Sequence, residues 1–317
     1  MSMLLEVDQL SRSYGDVKAV DDVSFNVQRG DILGFLGPNG AGKSTTMKML
    51  TGNLAPDRGQ IRINGFDLLD LPCQAKAQIG YLPEQPPVYR ELTVDEYLNF
   101  CARLNRIERG RIHAAVLTAK ERCGLTDVGR RLIGNLSKGY QQRVGIAQAI
   151  IHVPALVILD EPTVGLDPIQ IREIRELIRM LGEEHSVILS THILPEVQAV
   201  CDRVQIIDRG RLVFNDTIAA LEQRMQSSSL LLALRQPPDV QALQSIAGVI
   251  TVDRVDSNHL RVHFEPSLNP AQALVEASVA GHWGLYELVP ERMSLEQVFV
   301  DITCTEHEPL EAREQVA

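Results

Sequence analysis

The chain has 317 residues, of which 44% are hydrophobic and 23% are charged. With 22 glycines and 16 prolines, this is an ordinary globular composition, and it excludes a collagen-like or wholly disordered chain. The net charge of −10 is unlike that of proteins that bind nucleic acids, so we expect no nucleic-acid partner. The 5 cysteines form no C-x-x-C pair, which argues against a zinc site. At roughly 150 residues per domain, the length suggests about two domains.

The sequence contains no membrane-spanning or secretory signal. No segment reaches the run of about 18 apolar residues that a transmembrane helix needs. Residues 1–8 have neither a basic start nor an apolar run, so no signal peptide is predicted. We therefore expect a cytoplasmic chain, unless a partner holds it at a membrane.

Residues 1–216 alternate short apolar runs with helical patterns, which predicts an α/β domain with a mainly parallel sheet. Continuously apolar runs are expected to form strands buried on both faces: Ile32–Leu36, Leu156–Leu159 and Val187–Leu189. A helix should begin after Asp167-Pro168, which supply an N-cap and a first-turn proline. Asn64-Gly65 and a short segment containing Arg209-Gly210 indicate hairpins, so an antiparallel β subdomain is expected as well.

An all-helical insertion is predicted within this domain, at about residues 91–150. Thr93 and Glu96 have the spacing of a capping box, which opens a helix that runs to about Leu104. Gly124 is expected to end the next helix.

The composition changes near residues 217–228, where a serine-rich stretch predicts a linker. The following segment, 229–304, has the order strand, helix, strand, strand, helix, strand. That order predicts a small α+β domain of ferredoxin-like type. A last helix is expected near Ser294, and the polar end, 305–317, is expected to be disordered.

A glycine-rich motif follows the first buried strand and opens a predicted helix. It matches G-x-x-x-x-G-K-[ST], and its residues are Gly37, Pro38, Asn39, Gly40, Ala41, Gly42, Lys43, Ser44 and Thr45. The glycines let backbone N–H groups point at phosphate oxygens. Lys43 is expected to reach the β- and γ-phosphates of a nucleotide, and Ser44 to bind Mg²⁺.

Two acids, Asp160 and Glu161, end a second apolar strand. Ligands of such sheets lie at the carboxyl ends of the strands, so both acids are expected near the phosphate-binding motif. Asp160 would bind Mg²⁺, directly or through water, and Glu161 would orient or deprotonate an attacking water. Acids at a strand end are more often solvated or capping, but the accompanying motif reverses that preference.

Between these motifs, residues 136–143 read LSKGYQQR, and Gly165-Leu166-Asp167 and Ser190-Thr191-His192 follow them. The first segment resembles the L-S-G-G-Q signature of the nucleotide-binding subunits of ABC transporters, and the order of all the motifs is similar to that family's. The resemblance covers residues 3–215 and implies the fold of a phosphate-loop NTPase.

The resemblance also implies that two copies bind each ATP between them, head to tail. Ser137, Gly139 and Asp167 of one copy would then face the nucleotide held by the other. Ser137 begins a predicted helix, whose N-terminus suits an anion, although a plain N-cap is the alternative. Lys138 and Tyr140 depart from the signature, and Lys138 either adds charge near the phosphate or points to solvent.

Further roles come from the resemblance alone. Tyr14 is expected to stack on adenine, and His192 to contact the γ-phosphate. The family usually has glutamine after a proline in the loop that follows residues 79–82. Here Glu84 takes that position and Gln85 follows it, so either one is expected to bind Mg²⁺. In the family, this loop and the helical insertion bind a short helix of the membrane subunit. Val88, Tyr89 and Leu92 either line that groove or pack in the core.

The sequence therefore predicts an ATPase with Lys43, Glu161 and His192 as catalytic residues and ATP and Mg²⁺ as cofactors. The implied partners are an integral membrane permease and a second, most simply identical, ATP-binding subunit. The second domain resembles the appended domain of exporter-type members of the drug, lipid and gliding-motility groups, which implies export. We expect this domain to reinforce the dimer or to regulate it.

Two alternatives compete with this interpretation. A soluble ABC-type ATPase of translation or DNA repair would carry two nucleotide domains or a long coiled coil, but one motif set and no sustained heptads are present. A non-catalytic nucleotide-binding regulator would need a broken site, whereas Lys43, Asp160, Glu161 and His192 are all in place.

Overall fold

A computed structural model of the chain describes residues 3–265 and 268–292. The chain divides into two compact units, Met1–Ile218 and Ala219–Ala317. Among the described residues, no helix is both long enough and apolar enough to span a membrane. The helix expected near Ser294 and the tail 305–317 lie outside the described part of the chain.

The first unit is built from strands and helices that alternate along most of its length. In chain order its strands are β1 (Met3–Tyr14), β2 (Val17–Gln28), β3 (Ile32–Leu36), β4 (Arg58–Ile63), β5 (Phe66–Asp67), β6 (Ile79–Leu82), β7 (Leu156–Asp160), β8 (Ser186–Thr191), β9 (Arg203–Asp208) and β10 (Arg211–Thr217). Its α-helices are α1 (Lys43–Leu50), α2 (Pro72–Lys76), α3 (Val94–Leu104), α4 (Ile112–Arg122), α5 (Lys138–Ile150), α6 (Pro168–Gly182) and α7 (Leu194–Val200).

The central sheet has the strand order β10-β9-β3-β8-β7-β6. Neighbouring strands from β9 to β6 pair in parallel, whereas the edge strand β10 pairs antiparallel with β9. Every residue of β3, β7 and β8 is buried, because helices or a second sheet cover both faces. The prediction of a mainly parallel sheet is therefore confirmed.

A second, antiparallel sheet of the first unit has the order β2-β1-β4-β5. Asn64 and Gly65, with φ of 51° and 82°, form the two-residue turn between β4 and β5. Arg209 and Gly210, with φ of 46° and 83°, do the same between β9 and β10. Paired positive φ values are typical of the turns that join tight hairpins, so both predicted hairpins are confirmed.

The two sheets of the first unit share one hydrophobic core. Phe25 of β2 and Phe35 of β3 have ring centroids 5.8 Å apart, and Met47 and Leu50 of α1 belong to the same buried cluster. Burial of such a side chain contributes about 1.5–3 kcal/mol. The core therefore anchors α1, and with it the loop that precedes this helix.

The predicted helical insertion consists of α3, α4 and α5, and the first two of these helices pack against each other and against the third. The capping box is present. Glu96 N donates to Thr93 Oγ1 at 3.3 Å, and Thr93 N donates to Glu96 Oε2 at 2.9 Å. Gly124 follows the end of α4 with φ of 64°, as expected for a residue that terminates a helix.

The second unit begins within α8 (Ile218–Met225). It contains β11 (Gln226–Leu234), α9 (Val240–Gln244), β12 (Val249–Arg254), β13 (His259–Phe264), α10 (Ala271–Ala280) and β14 (Leu285–Arg292). The sheet order is β12-β13-β11-β14, with every pairing antiparallel. Its own core includes Leu232, Val262 and Leu274. The predicted element order is confirmed, and the strand order is that of a ferredoxin-like sheet.

The segment 217–228, predicted to be a linker, contains the boundary between the two units and is formed of regular structure. It comprises the last residue of β10, helix α8 and the first residues of β11. Leu221 of α8 is fully buried. Ser229 pairs with His263 across the sheet, and its Oγ donates to Glu291 Oε2 at 2.8 Å. Serine is typical of turns, but cross-strand pairing overrides that local preference here.

Candidate functional site

The carboxyl ends of four neighbouring parallel strands meet at one edge of the central sheet. The strands β3, β8, β7 and β6 lie side by side in the sheet. They are followed in the chain by Gly37, His192, Glu161 and the pair Pro83-Glu84. Because ligands of open parallel sheets bind at this edge, the topology gathers distant parts of the sequence into one candidate site.

The glycine-rich loop between β3 and α1 folds around the side chain of Lys43. The Nζ of this buried lysine donates to the carbonyl oxygens of Gly37 at 2.8 Å and Pro38 at 3.2 Å. Gly42, with φ of 110°, is the N-cap of α1. The free N–H groups and the dipole of the first turn thus lie beside a cation, an arrangement suited to phosphate.

Glu161 contacts both of the other residues predicted to be catalytic. Its Oε1 lies 3.3 Å from Lys43 Nζ, and its Oε2 lies 3.0 Å from His192 Nδ1. Its backbone has φ of 50°, a left-handed conformation that costs about 1–3 kcal/mol outside glycine. Its N–H donates to Ser190 O at 2.9 Å, which holds it in that conformation. The structure therefore brings together residues from three separate parts of the sequence.

Asp160, the last residue of β7, is buried beside Ser44, whose Oγ lies 3.5 Å from Asp160 Oδ1. Burial raises the pKa of the Asp160 carboxyl, and the nearby carboxylates of Glu161 and Glu84 raise it further. A cation would compensate this negative charge, and the oxygen atoms of Ser44, Asp160 and Glu84 are the kind of donor that Mg²⁺ prefers.

The described part of the chain contains no group of three or more His, Cys, Asp or Glu side chains that could hold a metal ion. The fit to Mg²⁺ rests instead on the chemistry of the donor set, because Ser44, Asp160 and Glu84 all offer oxygen atoms.

An open cavity of 250 Å³ lies over these groups. Most of the glycine-rich motif lines it, together with three residues from other strand ends: Asn39, Gly40, Gly42, Lys43, Ser44, Thr45, Glu84, Glu161 and His192. The sequence leaves Glu84 and Gln85 as two candidates for binding Mg²⁺. Glu84 lines the cavity and Gln85 does not. The other motif residues, Gly37, Pro38 and Ala41, lie outside the lining.

Two lining residues, Ala19 and Val164, were missed by the sequence analysis. Ala19 lies on β2 and approaches the motif through its carbonyl oxygen, which any residue type would supply. Val164 follows Glu161 by three residues and carries no chemical signal of its own. Neither position could be found without the tertiary structure.

Tyr14, the expected adenine-stacking residue, is the last residue of β1 and is 50% exposed. The guanidinium carbon of Arg12 lies 5.4 Å from the centroid of its ring. Arg12 itself is held by Asp57, whose Oδ1 accepts from Nη1 at 2.6 Å. Tyr14 is not part of the cavity lining, and its role remains a prediction.

Three further predicted nucleotide-binding residues lie at the N-terminal ends of α5 and α6, outside the cavity lining. Ser137 is the N-cap of α5, and its Oγ accepts from Tyr140 N at 3.4 Å. Asp167 is the N-cap of α6, and its Oδ1 accepts from two backbone N–H groups at 3.0 and 2.9 Å. Gly139 packs on Gln170, where a Cβ would lie 2.7 Å from the Gln170 Cδ.

The two departures from the signature have partners within the same unit. The ammonium group of Lys138 lies against Gly165. A Cβ added to that glycine would be only 2.1 Å from Lys138 Nζ. The exposed ring of Tyr140 lies 5.9 Å from the guanidinium carbon of Arg143. Lys138 therefore connects the signature segment to the loop that precedes α6.

A parallel sheet with this loop after β3 and an Asp-Glu pair at the end of β7 defines a nucleotide-binding ATPase of the phosphate-loop class. A family model described as "ABC transporter" matches residues 20–164.

Known proteins and a known structure resemble the chain as well. The chain is 42% identical over 215 residues to the bacitracin transport ATP-binding protein BcrA of Bacillus licheniformis. The matched region covers 67% of this chain and 69% of that protein. It is also 30% identical over 305 residues to the linearmycin resistance ATP-binding protein LnrL of Bacillus subtilis. In this case the matched region covers 95% of this chain and 98% of that protein. A solved structure of the ATP-binding subunit of an ABC transporter is 35% identical, with a TM-score of 0.63, and covers 70% of this chain and 92% of that one.

The chain therefore belongs to the family of ABC transporter ATP-binding proteins. It is an ATP-binding subunit that hydrolyses ATP.

Proposed function

We propose that this chain powers an exporter: two copies dimerise head to tail around two Mg-ATP and drive a separate integral membrane permease. The observation that supports this most directly is the contact of Glu161 with both Lys43 and His192. It unites a phosphate-binding cation, a carboxylate and an imidazole in one open cavity.

Each of these side chains has a distinct part in the proposed reaction. Lys43 binds the β- and γ-phosphates, together with the N–H groups of the loop. Glu161, beside this lysine, accepts the proton of the attacking water. His192, in contact with Glu161, orients the carboxylate and contacts the γ-phosphate. Positioning and charge stabilisation supply most of the catalysis in phosphoryl transfer. The placement of these three side chains therefore matters more than any covalent bond to the protein.

Ser44, Asp160 and Glu84 are the residues that we propose to hold Mg²⁺. When bound, this ion neutralises the charge of the phosphate oxygens. Asp160 is the group whose burial most needs such compensation. Ser44 and Asp160 approach each other from α1 and β7, with Ser44 in the lining of the cavity and Asp160 buried behind it.

The proposed dimer follows from residues that the cavity of one chain does not use. Ser137, Gly139 and Asp167 lie at the N-terminal ends of α5 and α6, and the Ser137 side chain is exposed. The N-terminus of a helix of 13 residues, such as α5, attracts phosphate. We propose that these residues contact the ATP held by the second copy. The second unit would reinforce this dimer or regulate it.

The permease would bind beside the loop that contains Glu84. There, the exposed ring of Tyr89 packs on Tyr97 and Phe100, with ring centroids 6.0 and 5.7 Å away. Tyr89 and Phe100 are exposed and Tyr97 is buried beneath them, and two exposed aromatic rings on a buried base suit a short amphipathic helix. Because BcrA and LnrL are named for bacitracin transport and linearmycin resistance, we propose a drug or antibiotic as cargo. The chain would then lie at the inner face of the membrane.

The first experiment is the substitution Glu161→Gln, with the exposed Glu176→Gln of α6 as matched control. Loss of a general base lowers turnover by about 10²–10⁴-fold, and we expect ATP affinity to be retained. Light scattering in Mg-ATP should show twice the chain mass of 35.2 kDa for Glu161→Gln. Normal hydrolysis by this variant would exclude Glu161 as the base, and a monomer in Mg-ATP would exclude the dimer.

The same Glu161→Gln variant tests the partner. It would be used to capture proteins from detergent-solubilised native membranes in Mg-ATP, followed by mass spectrometry. An integral membrane protein without its own ATPase domain supports the transporter. Ribosomal or DNA-repair proteins, with no membrane protein, would favour the alternative of a soluble ABC-type ATPase.

A further inference from the structure

We infer that Glu196, a buried residue of α7, is a positioning residue that holds Glu161 and His192 in contact. This inference rests on the proposed roles of those two residues. Glu196 lies in the first turn of α7 and is 1% exposed. It does not line the cavity, so it would not touch ATP.

The carboxylate of Glu196 accepts one hydrogen bond from each of two buried threonines. Thr163 Oγ1 donates to Oε1 at 2.5 Å, and Thr191 Oγ1 donates to Oε2 at 2.8 Å. Thr163 follows Glu161 by two residues, and Thr191 directly precedes His192. One side chain therefore ties together the two chain segments that carry the proposed base and its histidine partner.

A carboxylate matches this arrangement better than an amide does. Both of its oxygens accept hydrogen bonds, whereas an amide would present a donor to one of the two hydroxyl groups. Thr191 Oγ1 already accepts from Ile193 N at 3.1 Å, so its own proton has to go to an acceptor. The nearest counter-charge is Arg175 Nη2, 4.0 Å from Oε1.

A purely stabilising role explains this residue poorly. A buried ion pair adds little net stability, because desolvation of the charges offsets their attraction. A buried hydrogen-bond network, in contrast, fixes the relative position of the segments that it connects. Here the connected segments end in Glu161 Oε2 and His192 Nδ1, which lie 3.0 Å apart.

The test compares Glu196→Gln with the exposed control Glu176→Gln, in the wild-type chain and in a His192→Ala background. Displacement of a reacting group by about 1 Å can cost on the order of 10²-fold, so we expect kcat of Glu196→Gln to fall about 10- to 100-fold. The Kd for Mg-ATP should change by less than about threefold, because Glu196 does not contact the phosphate loop. Glu176→Gln should retain the kcat of the wild type.

The His192→Ala background separates positioning from general destabilisation. If Glu196 acts by holding the contact between Glu161 and His192, Glu196→Gln should cost less than about threefold in kcat once His192 is gone. The same 10- to 100-fold loss in both backgrounds would overturn the inference, as would a wild-type kcat for Glu196→Gln alone.

A second pair of variants decides the matter if Glu196→Gln does not fold. Thr163→Val keeps the shape of the side chain but removes its donor, and Thr163→Ser keeps the donor. We expect Thr163→Ser to retain more of kcat than Thr163→Val, and equal values would overturn the inference. Failure of the proposed function gives a different pattern, in which Glu161→Gln itself hydrolyses ATP at the rate of the wild type.

Discussion

The substitution Gly42→Ala should destabilise the first unit and abolish ATP binding. Gly42 has φ of 110°, a backbone conformation that L side chains rarely adopt. A Cβ at this position would lie 2.4 Å from the carbonyl oxygen of Ala19 and 3.3 Å from Ile207 Cδ1. The carbonyl belongs to the backbone of β2 and cannot rotate away as a flexible side chain would.

The expected loss in the free energy of unfolding has two parts. A left-handed backbone conformation costs a non-glycine residue about 1–3 kcal/mol. An overpacked atom in a close-packed interior adds about 1–3 kcal/mol. The free energy of unfolding should therefore fall by about 2–6 kcal/mol, and the strain would move the N-terminus of α1, where Lys43 and Ser44 lie.

Gly40→Ala is the matched control. Gly40 also has a positive φ, of 82°, but a Cβ added to it would meet no heavy atom within 4 Å beyond its chain neighbours. Both substitutions restrict the unfolded chain equally, so their difference isolates the overlap at Gly42. Urea denaturation without nucleotide, followed by far-UV circular dichroism, measures it, and we expect a difference of about 1–3 kcal/mol. Equal losses for the two variants would refute the argument from overlap.

Two further predictions concern stability. Burial lowers the pKa of His152 below its ordinary value of 6.5, with a smaller effect of His185, so the unfolded chain binds this proton more readily than the folded one. The contribution of His152 to the free energy of unfolding is therefore highest above pH 6.5, where this residue is neutral in both states. It decreases as the pH falls from 6.5 toward the lowered pKa of the folded state. Urea denaturation across that range should show less pH dependence for His152→Gln, and an unchanged dependence would count against the assignment. Asp167→Ala removes the N-cap of α6 and should cost about 1 kcal/mol, whereas Asp167→Asn should retain most of the cap. Thermal denaturation compares the two variants, and equal losses would contradict the role as a cap.

Much of the fold could be predicted because its signals are local. Continuous apolar runs identified β3, β7 and β8, and the capping residues Thr93 and Asp167 marked the starts of two helices. Residues 217–228 were predicted to be a linker, and the boundary between the two units does fall among them, but they form regular structure. Composition says nothing about which strand a segment will pair with. The pairing of Ser229 with His263 depends on a strand far along the chain.

The residue types of the candidate site were also readable from the sequence, because phosphate binding needs glycines, a lysine and a hydroxyl at fixed spacing. Their mutual contacts were not. Lys43, Glu161 and His192 come from three parts of the chain, and their distances depend on the order β3-β8-β7 in the sheet. That order places their strand ends side by side.

The sequence by itself thus determined the class of chemistry, since short motifs carry the groups that bind phosphate. The tertiary structure decided which groups share the cavity. It brought Glu84 rather than Gln85 to the lining, added Ala19 and Val164, and placed the carboxylate of Glu196 between two threonines. The physical reason is that strand pairing and core packing set distances between residues that the covalent chain leaves far apart.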